Sequence, residues 1–72
     1  MRHQIYIERK RNSFGSIEIG HDARKTLELV GFTRVTIDAQ FIDTAELSFE
    51  DGPVPDYETL DAALEMRGLR RV

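Results

Sequence analysis

Residues 35–50 read VTIDAQFIDTAELSFE, and this stretch decides the fold class. Apolar and polar residues alternate in two runs, from Val35 to Phe41 and from Ala45 to Glu50. Such alternation has the two-residue period of a half-buried β-strand, so the pair of runs predicts a β-hairpin. Phe41 and Ile42 are adjacent, and in a regular strand they would point to opposite faces of the sheet. This indicates either a contact surface or a β-bulge.

A similar pattern occurs closer to the N-terminus. Ile5 and Ile7 alternate with polar neighbours, as do Ile17 and Ile19 after the turn-forming residues 11–15, RNSFG. These two runs predict a first hairpin.

Two segments have the spacing of helices. Ala23, Leu27 and Val30 recur at helical intervals, with Asp22 as the candidate N-cap and Gly31 as the stop. The second helix is predicted at 56–67, again with an aspartate as its cap. Its apolar stripe is formed by Tyr57, Leu60 and Leu64.

The predicted order is therefore ββαββα, an α+β domain of two layers with mostly antiparallel strands and two helices. Residues 1–72 form one domain, with a ββαββ unit at 1–50, a Gly- and Pro-containing loop at 51–55 and an acidic C-terminal helix at 56–67. A chain of 72 residues buries only about 60% of its unfolded surface, and this one has no Cys for a disulfide. We therefore expect a homodimer.

Composition also restricts the location and the class of function. The chain starts without an apolar leader, and no apolar run approaches the roughly 20 residues that span a bilayer. We expect a cytoplasmic protein without a membrane contact. No nucleophile, phosphate-loop or metal-ligand spacing occurs, so we expect no enzyme activity, no cofactor, no metal and no small-molecule substrate.

The charges are sorted by position. Residues 1–34 have a balance of +3, residues 35–66 contain nine acids and no Lys or Arg, and three arginines follow, for a formal net charge of −3. A basic segment is suited to phosphates and an acidic one to a basic protein. Both could equally be solvated surfaces.

Residues 8–19, ERKRNSFGSIEI, and 22–27, DARKTL, carry a resemblance that covers about residues 8–49. This stretch resembles the AbrB/MazE family of swapped-hairpin DNA-binding domains, found in bacterial transition-state regulators and antitoxins. The resemblance implies an intertwined homodimer. It also implies DNA contacts from four basic residues: Arg9, Lys10, Arg24 and Lys25.

In antitoxins of this family an acidic C-terminal segment wraps a basic toxin. By resemblance, the partner-binding residues here would be Asp56, Tyr57, Glu58, Leu60, Asp61, Leu64 and Glu65. The alternative is that the apolar residues of this helix pack on the sheet as part of the core.

Three functions are compatible with these sequence features. The first is an AbrB/MazE-like DNA-binding regulator or antitoxin. The second is a small acidic phage-type inhibitor, similar in size and charge to anti-CRISPR proteins, that blocks a nucleic-acid-binding effector. Its carboxylates would imitate phosphates: Asp38, Glu46, Glu50, Asp51, Glu58, Asp61 and Glu65. The third is an assembly subunit with apolar contacts through Phe14, Phe41, Ile42, Leu69 and Val72.

Overall fold

The computed structural model describes residues 2–10, 18–50 and 56–72. Within these ranges the elements follow the order β-α-β-β-α-β. They are β1 (Arg2–Arg9), α1 (Ile19–Val30), β2 (Thr36–Gln40), β3 (Thr44–Glu50), α2 (Tyr57–Glu65) and β4 (Leu69–Arg71). No helix in the described part of the chain is long and apolar enough to cross a bilayer.

The four strands form one antiparallel sheet in the order β2-β3-β1-β4. In each β-α-β unit the two strands are separated in the sheet by a third: β3 lies between β1 and β2, and β1 lies between β3 and β4. This is the split β-α-β arrangement of ferredoxin-like folds. The predicted α+β class, with antiparallel strands and two helices, is confirmed.

The hairpin predicted for residues 35–50 is formed by β2 and β3. Ala45, Leu47 and Phe49 are all buried, as the alternation predicts. In β2 the register shifts between Ile37, which is opposite Leu47, and Ala39, which is opposite Glu46. This bulge moves the residues that follow it to the other face of the sheet. Val35, Ile37, Ala39 and Phe41 therefore do not all lie on one face, as an uninterrupted alternation would place them.

The first predicted hairpin does not continue through Ile19, because that residue begins α1. Ile17 and the predicted turn at 11–15 lie outside the described residues. In α1, Ile19 is buried together with residues that follow it at helical spacing. The burial of this helical stripe outweighs the short strand-like alternation of Ile17 and Ile19 in the sequence. That stripe consists of Ile19, Ala23, Thr26 and Leu27.

The start of α1 is capped from the sheet. Asp22 was predicted as the N-cap, but it lies in the first turn. Glu18, which precedes the helix, makes no side-chain cap hydrogen bond. The Gly20 amide instead donates to Gln40 Oε1 at 2.7 Å, so a β2 side chain satisfies one of the free amides.

The second helix, predicted at 56–67, spans Tyr57–Glu65. Asp56 is its N-cap, as predicted, and accepts a hydrogen bond from the Glu58 amide at 3.0 Å. The preceding loop, 51–55, lies outside the described residues. The chain then turns at Gly68, where φ is 71°, into the short strand β4. This strand was not predicted, because three residues show no periodicity.

The core lies between the sheet and the two helices. Phe32 and Phe49 pack edge to face there, with ring centroids 4.7 Å apart. The other buried apolar side chains are Ile5, Ile7, Ile19, Ala23, Leu27, Val35, Ala45, Leu47, Leu60, Leu64 and Leu69.

We predict that Leu27→Ala and Leu47→Ala each lower the free energy of unfolding by about 2 to 4 kcal/mol, because both side chains are completely buried and their truncation leaves cavities. Urea denaturation of the purified variants measures this. Leu29→Ala is the matched control, since Leu29 is 74% exposed. Near wild-type stability of both core variants would contradict the assignment of the buried faces.

Candidate binding surface on the open face of the sheet

The helices cover one face of the sheet and leave the other open. On β1 the covered face receives Ile5 and Ile7, which are buried, while Gln4 and Tyr6 are exposed on the opposite side. The register places side chains of the neighbouring strands beside them. We call this side the open face; its described residues are Arg2, Gln4, Tyr6, Glu8, Thr36, Asp38, Ala39, Phe41, Thr44, Glu46, Ser48, Glu50, Arg70 and Val72.

One part of the open face is apolar and concave. Tyr6 is 45% exposed, Phe41 is 58% exposed and Val72 is 74% exposed, and all three line a cavity of about 270 Å³. The polar side chains around it are Glu8, Thr44 and Glu46. We call this cavity the open-face groove. It places two aromatic rings next to carboxylates.

The position of Tyr6 is fixed by two hydrogen bonds. Its hydroxyl donates to Gln4 Oε1 at 3.0 Å, and its carbonyl accepts from the Val72 amide at 2.8 Å. The second bond also brings Val72 to the groove.

The bulge in β2 and the following turn place Phe41 on the same side. Gln40 lies opposite Ala45 and faces the helices, so the next residue faces the open side. The Phe41 amide donates to the Thr44 carbonyl at 2.8 Å and closes the turn. At 84% exposed, Ile42 in that turn is the more open of the two adjacent apolar residues.

The carboxylates of the open face differ in their partners. Glu8 forms an ion pair with Arg70, and Glu50 forms one with Arg2 at 3.2 Å. Glu46 makes no ion pair and no side-chain hydrogen bond within the described part of the chain. It is therefore a carboxylate of the groove whose charge is not offset locally.

Asp38, in the bulge, is held in its charged form by neighbours on the open face. Its carboxylate accepts hydrogen bonds from the Ser48 hydroxyl and from Gln4 Nε2, the latter at 3.3 Å. The Ser48 hydrogen bond is the main reason that the pKa of Asp38 is lowered, and the charge of Arg2 contributes as well. The open face therefore carries the carboxylate of Asp38 in addition to that of Glu46.

The four basic residues predicted to contact DNA lie on two elements. Arg9 and Lys10 are at the end of β1, and Arg24 and Lys25 are on α1. Arg9 Nε lies 3.5 Å from Asp43 Oδ1, Lys10 pairs with Glu65, and Arg24 Nε lies 3.6 Å from Glu28 Oε1. Three of the four cations are thus next to an intramolecular carboxylate.

The partner-binding residues predicted on α2 divide into two groups. Leu60 and Leu64 are completely buried in the core and have no surface for a partner. Their burial supports the alternative in which this helix packs on the sheet. Of the others, Asp56 caps the helix and Glu65 pairs with Lys10, while Glu58 is exposed.

Asp61 and Tyr57 both contact Arg71. The guanidinium donates two hydrogen bonds to the Asp61 carboxylate, at 3.0 and 3.1 Å, and lies 4.5 Å from the centre of the Tyr57 ring. These bonds lower the pKa of Asp61 and raise that of Arg71. This arginine is therefore held by a carboxylate and an aromatic ring together.

A second concavity, of about 500 Å³, lies beside α1. Its lining includes Asp22, Lys25, Glu28, Leu29 and Arg67. Two acids and two bases share the described part of this lining, so their charges balance. It is larger than the open-face groove but offers less selection for a ligand.

Part of the groove was predicted from the sequence. Phe41 and Val72 were predicted as apolar contacts, and Glu46 and Asp38 as exposed carboxylates. Tyr6 was missed, because an aromatic residue at the polar position of a strand gives no separate signal.

Comparison of the chain with protein families, with curated proteins and with solved structures finds no match. Within the described ranges, no three His, Asp or Glu side chains form a group that could hold a metal ion.

We predict that the free energy of unfolding decreases as the pH falls from about 4 through the lowered pKa of Asp61, because the unfolded chain takes up a proton near the usual pKa of 3.8 while the folded carboxylate does not. Since both partners are partly exposed, the pair contributes at most about 1 kcal/mol. Asp61→Asn should flatten this part of the stability profile, measured by denaturation at several pH values. Glu58→Gln is the control, and an unchanged slope in Asp61→Asn would contradict the role of the pair.

Proposed function

We propose that this chain is a cytoplasmic, non-enzymatic binding protein that docks a basic segment of another protein on the open-face groove. The observation that carries the proposal is the exposure of Tyr6 and Phe41 next to Glu46 on a sheet face that neither described helix covers. Exposed aromatic side chains clustered in a concavity are typical of protein contact sites. The uncompensated carboxylate favours a partner of positive charge.

The charge distribution favours a protein over DNA as the partner. Glu46 and Asp38 would repel phosphates from the open face. On the remaining surface, Arg9, Lys10 and Arg24 already have carboxylate neighbours, so contact with DNA would require those ion pairs to be exchanged. DNA binding by an AbrB/MazE-like dimer is therefore the less favoured proposal.

The proposal keeps what two of the sequence-based functions share. An antitoxin that covers a basic toxin and an inhibitor that occupies the site of a nucleic-acid-binding effector both act on a basic protein. The apolar assembly surface of the third function contributes Phe41, Ile42 and Val72. Leu69 is buried and is removed from that set, and Phe14 lies outside the described residues.

We predict that Phe41→Ser abolishes partner capture without unfolding the protein, because Phe41 is exposed and contributes apolar area to the groove. The full chain is immobilised, incubated with extract of its source, and the retained protein is identified by mass spectrometry. The wild type should retain a basic protein that salt releases. Leu29→Ser, which changes an exposed leucine on α1, should retain the same protein.

If wild type and Phe41→Ser retain the partner equally and Leu29→Ser loses it, the partner binds the helices. This result would contradict the proposal. A retained protein that is acidic would contradict the predicted chemistry.

We also predict little binding of labelled duplex DNA, even at low salt, because the open face is acidic and three of the four predicted cations are paired. Fluorescence anisotropy at two salt concentrations measures this. A DNA-binding protein would instead show a log-log salt slope of about −0.9 per phosphate neutralised. Such a slope, flattened by Arg24→Ala with Lys25→Ala, would favour the AbrB/MazE-like regulator over this proposal.

A further inference from the structure

We infer that the open-face groove is a recognition pocket for a single arginine side chain of the partner, with its guanidinium against the rings of Tyr6 and Phe41 and paired with Glu46. This inference rests on the proposed function, because it specifies which group of a basic partner is recognised.

The size of the groove is suited to one side chain. Its volume is about 270 Å³, below the range of about 300 to 1,000 Å³ that is usual for small-molecule pockets. The backbone around it is held by the β1–β3 pairing and by the hydrogen bond between Phe41 and Thr44. A projecting side chain can therefore enter a preformed site.

The negative charge of the groove favours a cationic side chain as its occupant. Glu46 is directly opposite Tyr6 in the β1–β3 register, so the carboxylate and the ring start from neighbouring positions. The other carboxylate of the groove, Glu8, already pairs with Arg70. Glu46 is thus available to an incoming cation.

The choice of arginine over lysine follows from the aromatic walls. A guanidinium is planar and less strongly hydrated than an ammonium, so it stacks on a ring while it donates to a carboxylate. The protein already contains this arrangement, with Arg71 over Tyr57 and bonded to Asp61. The open-face groove has the ring and the carboxylate on one face, and no cation of the described residues pairs with Glu46, so we expect a partner to supply it.

The test uses a synthetic peptide as the probe, acetyl-Ala-Val-Arg-Val-Ala-amide, and the same peptide with neutral citrulline in place of arginine. Each is titrated into the full-length ¹⁵N-labelled chain, and amide shifts are followed by NMR, which detects weak binding. We expect the arginine peptide to shift the amides of Tyr6, Phe41 and Glu46. The citrulline peptide should bind about tenfold more weakly, because it lacks the charged hydrogen bonds.

Glu46→Gln should lose this tenfold discrimination while its thermal unfolding stays close to that of the wild type. Glu58→Gln removes the same charge from an exposed position on α2 and should keep the discrimination. A lysine peptide should bind more weakly than the arginine peptide in both the wild type and this control.

The inference would be overturned by equal binding of the arginine and citrulline peptides, by equal binding of the arginine and lysine peptides, by shifts confined to the helices, or by an unchanged preference in Glu46→Gln. Shifts of the same amides on dilution of the chain alone, with a dimer mass in light scattering, would assign the groove to a second copy and also overturn it. If Phe41→Ser loses the captured partner but no arginine peptide binds, the proposed function stands and only the arginine pocket fails.

Discussion

The pairing of β1 with β3 is the constraint on which both the core and the groove depend. Its register places Ile5 opposite Leu47 on the covered face, and one residue further along it places Tyr6 opposite Glu46 on the open face. Because side chains alternate strictly along a strand, a slip of one residue would exchange the two sets. Such a slip would expose the buried apolar residues to water, and this loss of burial keeps the strands in the observed register. The register then determines which side chains line the groove.

Two helices are enough to cover one face of this sheet. The buried stripes of α1 and α2 lie on that face together with Phe32, Phe49 and the apolar residues of β1 and β3. The opposite face is left to residues that tolerate water, most of them polar. In the described part of that face the large apolar or aromatic side chains are Tyr6, Phe41 and Val72, and all of them line the groove. The exposed apolar area of this face is therefore concentrated in the groove.

Electrostatics distinguish the groove from the rest of the surface. Most arginines described in the structure neutralise nearby acids, which stabilises the local arrangement only slightly because the pairs are exposed. The charge excess along residues 35–66 is therefore partly cancelled by bases from both ends of the chain. Among the described residues, Glu46 is one of the carboxylates without such a partner, and it lines the groove together with Tyr6 and Phe41.

The sequence alone determined the α+β class, the hairpin at 35–50 and the second helix with its Asp56 cap, because period, turn residues and caps are local signals. It also indicated an irregularity at Phe41 and Ile42, because two adjacent apolar residues would point to opposite faces of a regular strand. Three features depend on contacts between distant segments: Ile19 begins a helix, Leu69 begins an additional strand, and the bulge places Phe41 in the groove with Tyr6. These outcomes depend on pairing between distant segments, whose energy does not appear in any single stretch of the chain.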